Sequence, residues 1–221
     1  MLTPDEFYTS EQRDLQTQFD STKLADVVVA AIVRDEIEEP NIPFIESRDF
    51  FFLSTVSAEG EPTVSYKGGP VGLVKVVNSR KLIFPSYDGN GMFKSLGNIK
   101  AASKIGMLFI DMETPNRVRV QGNAHLSTDD PEMERYPGAK ALITVDVTSC
   151  FLNCARYIHK HTRVEQSPYV PNEAGEQPHP SWKRIDMVQD ALPEEERART
   201  EEEGGKIDFD EYVDKLTKGV S

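Results

Sequence analysis

The sequence predicts a mainly β protein with flanking helices, its strands closing a small antiparallel barrel. Two observations carry this. Seven short runs rich in aromatic and β-branched residues fall between Phe50 and Thr148. Turn signals such as Ala58-Glu59-Gly60-Glu61 and Asn78-Ser79-Arg80 separate neighbouring runs at hairpin spacing. Short strands so closely spaced argue for an antiparallel barrel rather than βαβ units.

Met1 to Glu39 reads as helical. Thr9 or Ser10 is placed to cap a helix bearing Leu15 and Phe19, and Leu24, Val27, Val28, Ala31 and Ile32 recur at helical spacing. Pro40 and Pro43 end the region, so residues 1–43 form an N-terminal helical segment expected to cover the barrel. Strands are expected at Phe50 to Val56, Pro62 to Lys67, Val71 to Val76 and Lys81 to Pro85. A glycine turn and short helix follow over Asp88 to Ala102, then strands at Ile105 to Asp111 and Arg117 to Ser127. In the last of these Val118 and Val120 alternate with Arg117, Arg119 and Gln121 before a break at Gly122. Asp129-Asp130-Pro131-Glu132 is a helix start, and Ala141 to Thr148 is a further strand. The barrel domain is thus 44–163.

Beyond Arg163 the composition shifts. Pro168, Pro171, Pro178 and Pro180 mark an extended segment, and from Asp186 onward twelve acidic residues face five basic ones. Helices are expected near Pro193 to Glu203 and around Phe209, Val213 and Leu216, parted by Gly204-Gly205. Residues 164–221 are read as an acidic C-terminal arm, packed or semi-ordered, rather than a separate domain.

The formal net charge of −12 argues against nucleic acid or an anionic membrane as partner, since both need a basic face. The charge is uneven, however. From Ser65 to Arg119 nine basic residues stand against three acidic ones, an island suited to a small anionic ligand. The N-terminus lacks the basic start and apolar core of a signal peptide, and the longest apolar run, Val27 to Val33, is too short to span a bilayer. With only Cys150 and Cys154, a cytoplasmic protein without framework disulfides is expected. The spacing of those cysteines with His159 and His161 fits no common structural zinc site, so no metal is expected.

Chemistry concentrates between Val64 and Asn98. Tyr87-Asp88-Gly89-Asn90-Gly91 could be a plain hairpin turn, but Met92 to Asn98, including Lys94 and Ser95, continues at helical spacing. Strand, flexible turn and helix start together have the layout of an anion site, beside the plain-turn reading. Neither a P-loop nor a dinucleotide fingerprint is present. Lys67-Gly68-Gly69-Pro70 sets a cation beside bare backbone, suited to a flat polar ring, and Arg117 and Arg119 share one strand face that could reach the same ligand.

Several motifs occur in a fixed order: Phe50 to Thr55, Ala58 to Pro62, Ser65-Tyr66-Lys67-Gly68-Gly69-Pro70, Tyr87 to Gly91, Ser95-Leu96-Gly97-Asn98, Asn116 to Gly122, and Asn153-Cys154-Ala155-Arg156-Tyr157-Ile158. As a set, over about residues 44–160, they resemble the pyridoxamine 5′-phosphate oxidase-like proteins of the FMN-binding split-barrel fold. The resemblance implies a six-stranded antiparallel split barrel and a homodimer with FMN at the interface. It implies that Lys67, Gly68, Gly69, Pro70, Val71 and Lys75 lie along the flavin ring. Asp88, Gly89, Asn90, Gly91, Ser95 and Asn98 match the phosphate-holding segment, Arg117 and Arg119 the cleft wall, and Asn153 and Arg156 a closing element. The oxidases carry a Ser-Arg-Lys run where this chain has Gly89-Asn90-Gly91, and a terminal tryptophan and arginine without a match here. The chain therefore more closely resembles the family's branch of unassigned reaction. The expected function is an FMN-dependent oxidoreductase acting on a small molecule, with NADPH or NADH as a possible donor. The alternative is a binding module that holds FMN, or a tetrapyrrole- or flavin-like ligand, without turnover.

Overall fold

The computed structural model describes residues 1–219. The last two residues of the expected acidic arm, Val220 and Ser221, lie outside the described residues. The chain divides into two compact units, one of residues 1–166 with 173–175, the other of residues 167–172 with 176–221.

The first unit begins with three helices, α1 (Pro4–Phe7), α2 (Ser10–Gln18) and α3 (Thr22–Ile32). Thr3 and Thr9 each make a capping box, with Glu6 and Gln12 respectively. The expected helical run stops short of Glu39. Val33–Arg34 forms a two-residue strand β1 paired with Phe151 and Cys150, where the β-branched Val33 is buried with Phe151. After α4 (Ile42–Glu46) come β2 (Phe50–Val56), β3 (Pro62–Gly68), β4 (Lys75–Asn78), β5 (Lys81–Ser86), α5 (Lys94–Ala102), β6 (Lys104–Asp111), β7 (Asn116–Ser127) and β8 (Ala141–Leu152).

The pairing is antiparallel throughout, in the order β3-β2-β6-β7-β8-β5-β4, with β1 on β8. The strand path is open, with β3 and β4 at its ends and eight strands where six were expected. Side-chain alternation explains the register. Phe51, Leu53, Met107, Phe109, Val118, Val120, Ile143 and Val145 all point into one core and are almost fully buried. Phe51 meets Phe84 edge to face and Phe109 at a tilt, with ring centroids 5.0 and 5.5 Å apart. The expected break at Gly122 is a register shift between Gln121 and Gly122, where a Cβ would come within 2.5 Å of the Asp146 carbonyl oxygen.

The expected strand at Val71 to Val76 begins only at Lys75. Leu73 donates its N–H to the Pro70 carbonyl at 3.0 Å, and Gly72 at φ +84° completes a β-turn. Leu73 and Val74 are nonetheless buried, so the apolar run that reads as strand is core under a turn. The expected glycine turn and short helix over Asp88 to Ala102 are a loop as far as Phe93 and a helix from Lys94 to Ala102, two residues later than the helical spacing from Met92 predicts.

The second unit is built on 3-10 turns (Ser181–Arg184, Asp186–Ala191) and two helices, α6 (Glu194–Glu202) and α7 (Phe209–Thr217). Within it Ile185 bridges Ile207, and His179, Lys183, Glu196 and Thr200 form a polar cluster around which Gln189 is also buried. Among the described residues no helix is long and apolar enough to cross a membrane.

Candidate functional site

The first unit carries a cleft of about 1060 Å³. Its walls are Ser65 to Gly68 of β3, the end of β5 with the loop Tyr87 to Phe93, the first turns of α5, and residues at the β7 and β8 ends, among them Thr128 and Lys140. β3 ends the strand path and β5 stands next to its other end, so the cleft lies where the sheet fails to close.

Charge in the cleft is one-sided. Lys67, Lys94, Lys100 and Lys140 line it against one carboxylate, Asp88. Lys67 is half-buried, and loss of hydration pushes its amine below the usual lysine value. Its neighbours along β3 are Tyr66 and Gly68, and among the described residues no hydrogen-bond or ion-pair partner offsets that cost. A desolvated cation without a counter-ion is the state that an anionic ligand relieves.

The start of α5 adds backbone donors. Its cap position is Phe93 in the left-handed region, φ 49° and ψ 25°, and makes no side-chain capping bond to the first-turn N–H groups. The loop before it is pinned by Asn90, whose Oδ1 accepts the Met92 N–H at 3.1 Å, and by Gly91 at φ +76°. Ser95 and Ser65 share a hydrogen bond of 2.8 Å that ties the helix start to β3. Deeper, the buried Asn98 amide donates to Thr55 and Thr63 at 3.0 and 3.4 Å, anchoring α5 to the β2–β3 hairpin. Gly97, midway, faces open space: a Cβ there would meet nothing within 4 Å. A helix-interior glycine costs about 1 kcal/mol relative to alanine, and here it leaves backbone bare on the cleft wall.

Of the residues singled out from sequence, Lys67, Gly68, Asp88, Gly89, Asn90, Gly91 and Ser95 line this cleft. The others lie outside its lining. Gly69 sits against Leu73 and Tyr87, where a Cβ would come within 2.6 Å of Leu73 Cδ1. Pro70 and Val71 belong to the turn. Lys75 is paired with Glu46 at 2.9 Å, and Asn98 serves the hairpin anchor. Arg117 donates to the Cys154 carbonyl at 2.7 Å, with its Nε buried and unbonded, and the Asn153 Oδ1 is also buried without a partner. Arg119 is exposed, and Arg156 lies over the Tyr157 ring at 5.2 Å. Sequence reasoning did not single out Lys100, Lys140, Phe93 and Gly97 as ligand contacts. Lys100 belongs to the same basic island, whereas Lys140 reaches the cleft only through the β5–β8 pairing that joins Ser86 to Ala141.

Comparison with known proteins supplies the remaining observation. No curated protein matches the chain. Among solved structures, HupZ from Group A Streptococcus is 19% identical over 53–57% of this chain and 99% of its own length, with a TM-score of 0.44. An FMN-binding protein from Syntrophomonas wolfei is 12% identical over 66% of this chain and 98% of its own, with a TM-score of 0.39. The model of the family described as pyridoxamine 5′-phosphate oxidase matches residues 37–154, more than half of the chain. That span takes in every strand from β2 to β8 and all the cleft walls, and the chain belongs to the pyridoxamine 5′-phosphate oxidase family.

Proposed function

We propose that this protein binds FMN in the cleft beside α5 and works as an FMN-dependent oxidoreductase on a small molecule. The observation that carries the reading is the cleft's charge: four lysines against one carboxylate, in a chain of net charge −12. The residues present fit the group. Lys94, Lys100 and the uncapped first turn of α5 would take a phosphate, as helix starts do. Lys67, from β3, would lie towards the flat ring and stabilise negative charge there. FMN when bound supplies hydride and electron chemistry that no side chain offers. The protein's own part is to bind, orient and exclude water. No histidine, cysteine or glutamate lines the cleft, so proton handling falls to Lys67, Tyr66, Tyr87 and bound water. The same absence favours the second reading, a module that holds flavin without turnover.

A homodimer belongs to the proposal. β3 is the end strand of the path, and its Val64 and Tyr66 are 69% and 62% exposed beside the cleft. A second copy would cover them and close the site. The electron donor proposed is NADPH or NADH, and the protein is proposed to be cytoplasmic.

The test is spectroscopic. The purified protein is expected to show flavin absorption, or to take up added FMN, and to bleach anaerobically with NADPH or NADH. Flavin retention without bleaching by any common donor leaves the holding module. Failure to take up FMN at all refutes both readings.

A further inference from the structure

The loop entering α5 holds a non-glycine residue in a strained backbone conformation at the cleft. Phe93 has a φ of 49°, a region that bulky aromatic residues avoid. The other non-glycine residues with positive φ are Asp20 and Ser103, both short and polar. No packing of the ring offsets the strain, because Phe93 is 67% exposed. Its conformation is nonetheless held from both sides. Asn90 and Gly91 fix the chain before it, and its carbonyl accepts the Gly97 N–H at 2.7 Å. Gly97 thus follows one turn into the helix and carries no side chain. An exposed aromatic ring and a bare stretch of helix backbone therefore line the same cleft, with open space over the glycine. Met92, adjacent, is 71% exposed.

We infer that Phe93, with Met92 beside it, is a specificity-determining lip that selects a flat conjugated ring. The ring lies along the bare turn at Gly97 with Phe93 against it, while the lysines hold the anionic group. The backbone strain persists because it aims the ring at the ligand. This rests on the FMN reading and adds what reads the ring, as distinct from the phosphate.

The experiment titrates FMN, riboflavin and inorganic phosphate (the last as competitor of FMN) into the wild type, Phe93→Gly and Phe93→Tyr, with circular dichroism and size-exclusion chromatography on each. In Phe93→Gly, FMN and riboflavin are expected to bind about tenfold more weakly. The phosphate competition constant stays at the wild-type value, and Phe93→Tyr restores ring binding. Flavin affinities within twofold of wild type in Phe93→Gly overturn the lip while leaving the FMN reading standing. Equal loss of phosphate affinity overturns it too, by assigning Phe93 to the anion site. Loss of flavin together with dissociation to monomers reassigns the lip to a subunit contact. A wild type that binds no FMN removes the underlying reading, and the lip with it.

Discussion

Two lysines leave water in opposite ways, one in each unit. Lys183 in the second unit is buried and fully answered: its Nζ donates to Glu196 Oε1 at 2.8 Å, and its carbonyl accepts from Gln189 at 2.7 Å. Glu196 also faces His179 Nδ1 at 3.3 Å, and His179 Nε2 meets Thr200 Oγ1 at 3.0 Å. Lys67 in the first unit is half-buried in an open cleft, and its amine is shifted down by desolvation alone. A buried charge with its partner in place specifies packing, whereas a desolvated charge awaiting one marks a place for a ligand. Thr200, His179 and Glu196 lie together, but His179 Nδ1 and Glu196 Oε2 make no hydrogen bond among the described residues and Thr200 is sealed from solvent, so the three do not form a working nucleophile–histidine–carboxylate array.

Breaking each lysine separates the two cases. Lys183→Ala strands Glu196 and is expected to cost about 3 kcal/mol of the second unit's stability. Amide exchange between Ser181 and Thr200 reads this, and a loss below about 1 kcal/mol would mean the pair is not structural. Lys67→Met removes a charge that has no partner among the described residues, so the melting temperature should hold or rise. FMN affinity should instead fall roughly tenfold to a hundredfold, the worth of a charge-assisted contact.

Titration sharpens the same contrast. Because the Lys67 pKa is lowered, the unfolded chain holds that proton to higher pH than the folded one. Stability of the free first unit therefore gains as pH rises from the folded value towards about 10.4. FMN affinity runs the other way and falls across that window, since deprotonation removes the cation. His179 is also lowered, by burial first and then modulated by Glu196, Arg199, Glu203 and Lys183. The folded second unit thus binds its proton less readily than the unfolded chain. Its stability is full above about 6.5 and is lost as pH falls from there through the folded value. His179→Gln should flatten that acid limb in a pH series of unfolding curves. The smallest effect is expected at Asn98→Ala, about 1 kcal/mol from the lost Thr55 and Thr63 bonds. Its effect on FMN affinity should stay below that of Lys67→Met.

The strands were legible because burial on one face imposes a period of two: Val118 and Val120 are buried exactly where alternation from Arg117 and Arg119 predicts. Legibility failed where an apolar run was covered by a turn, as at Leu73 and Val74, and where a glycine-rich loop delayed a helix until Lys94. The part of the cleft that could be read is local: β3, the loop and the head of α5 lie within thirty-odd residues. Lys140 could not, since only strand pairing brings it there. Strain at Phe93 has no signature in residue type, as phenylalanine is the last residue a left-handed turn would call for.

Lys67 and the α5 turn are proposed to make a flavin site. The most direct measurement of this is a fluorescence-quenching titration of FMN into dialysed wild-type protein and into Lys67→Met. The account predicts one saturable transition in the wild type, displaced to about tenfold or more higher FMN in the variant. Superimposable curves, or no saturable quenching in the wild type, would contradict it.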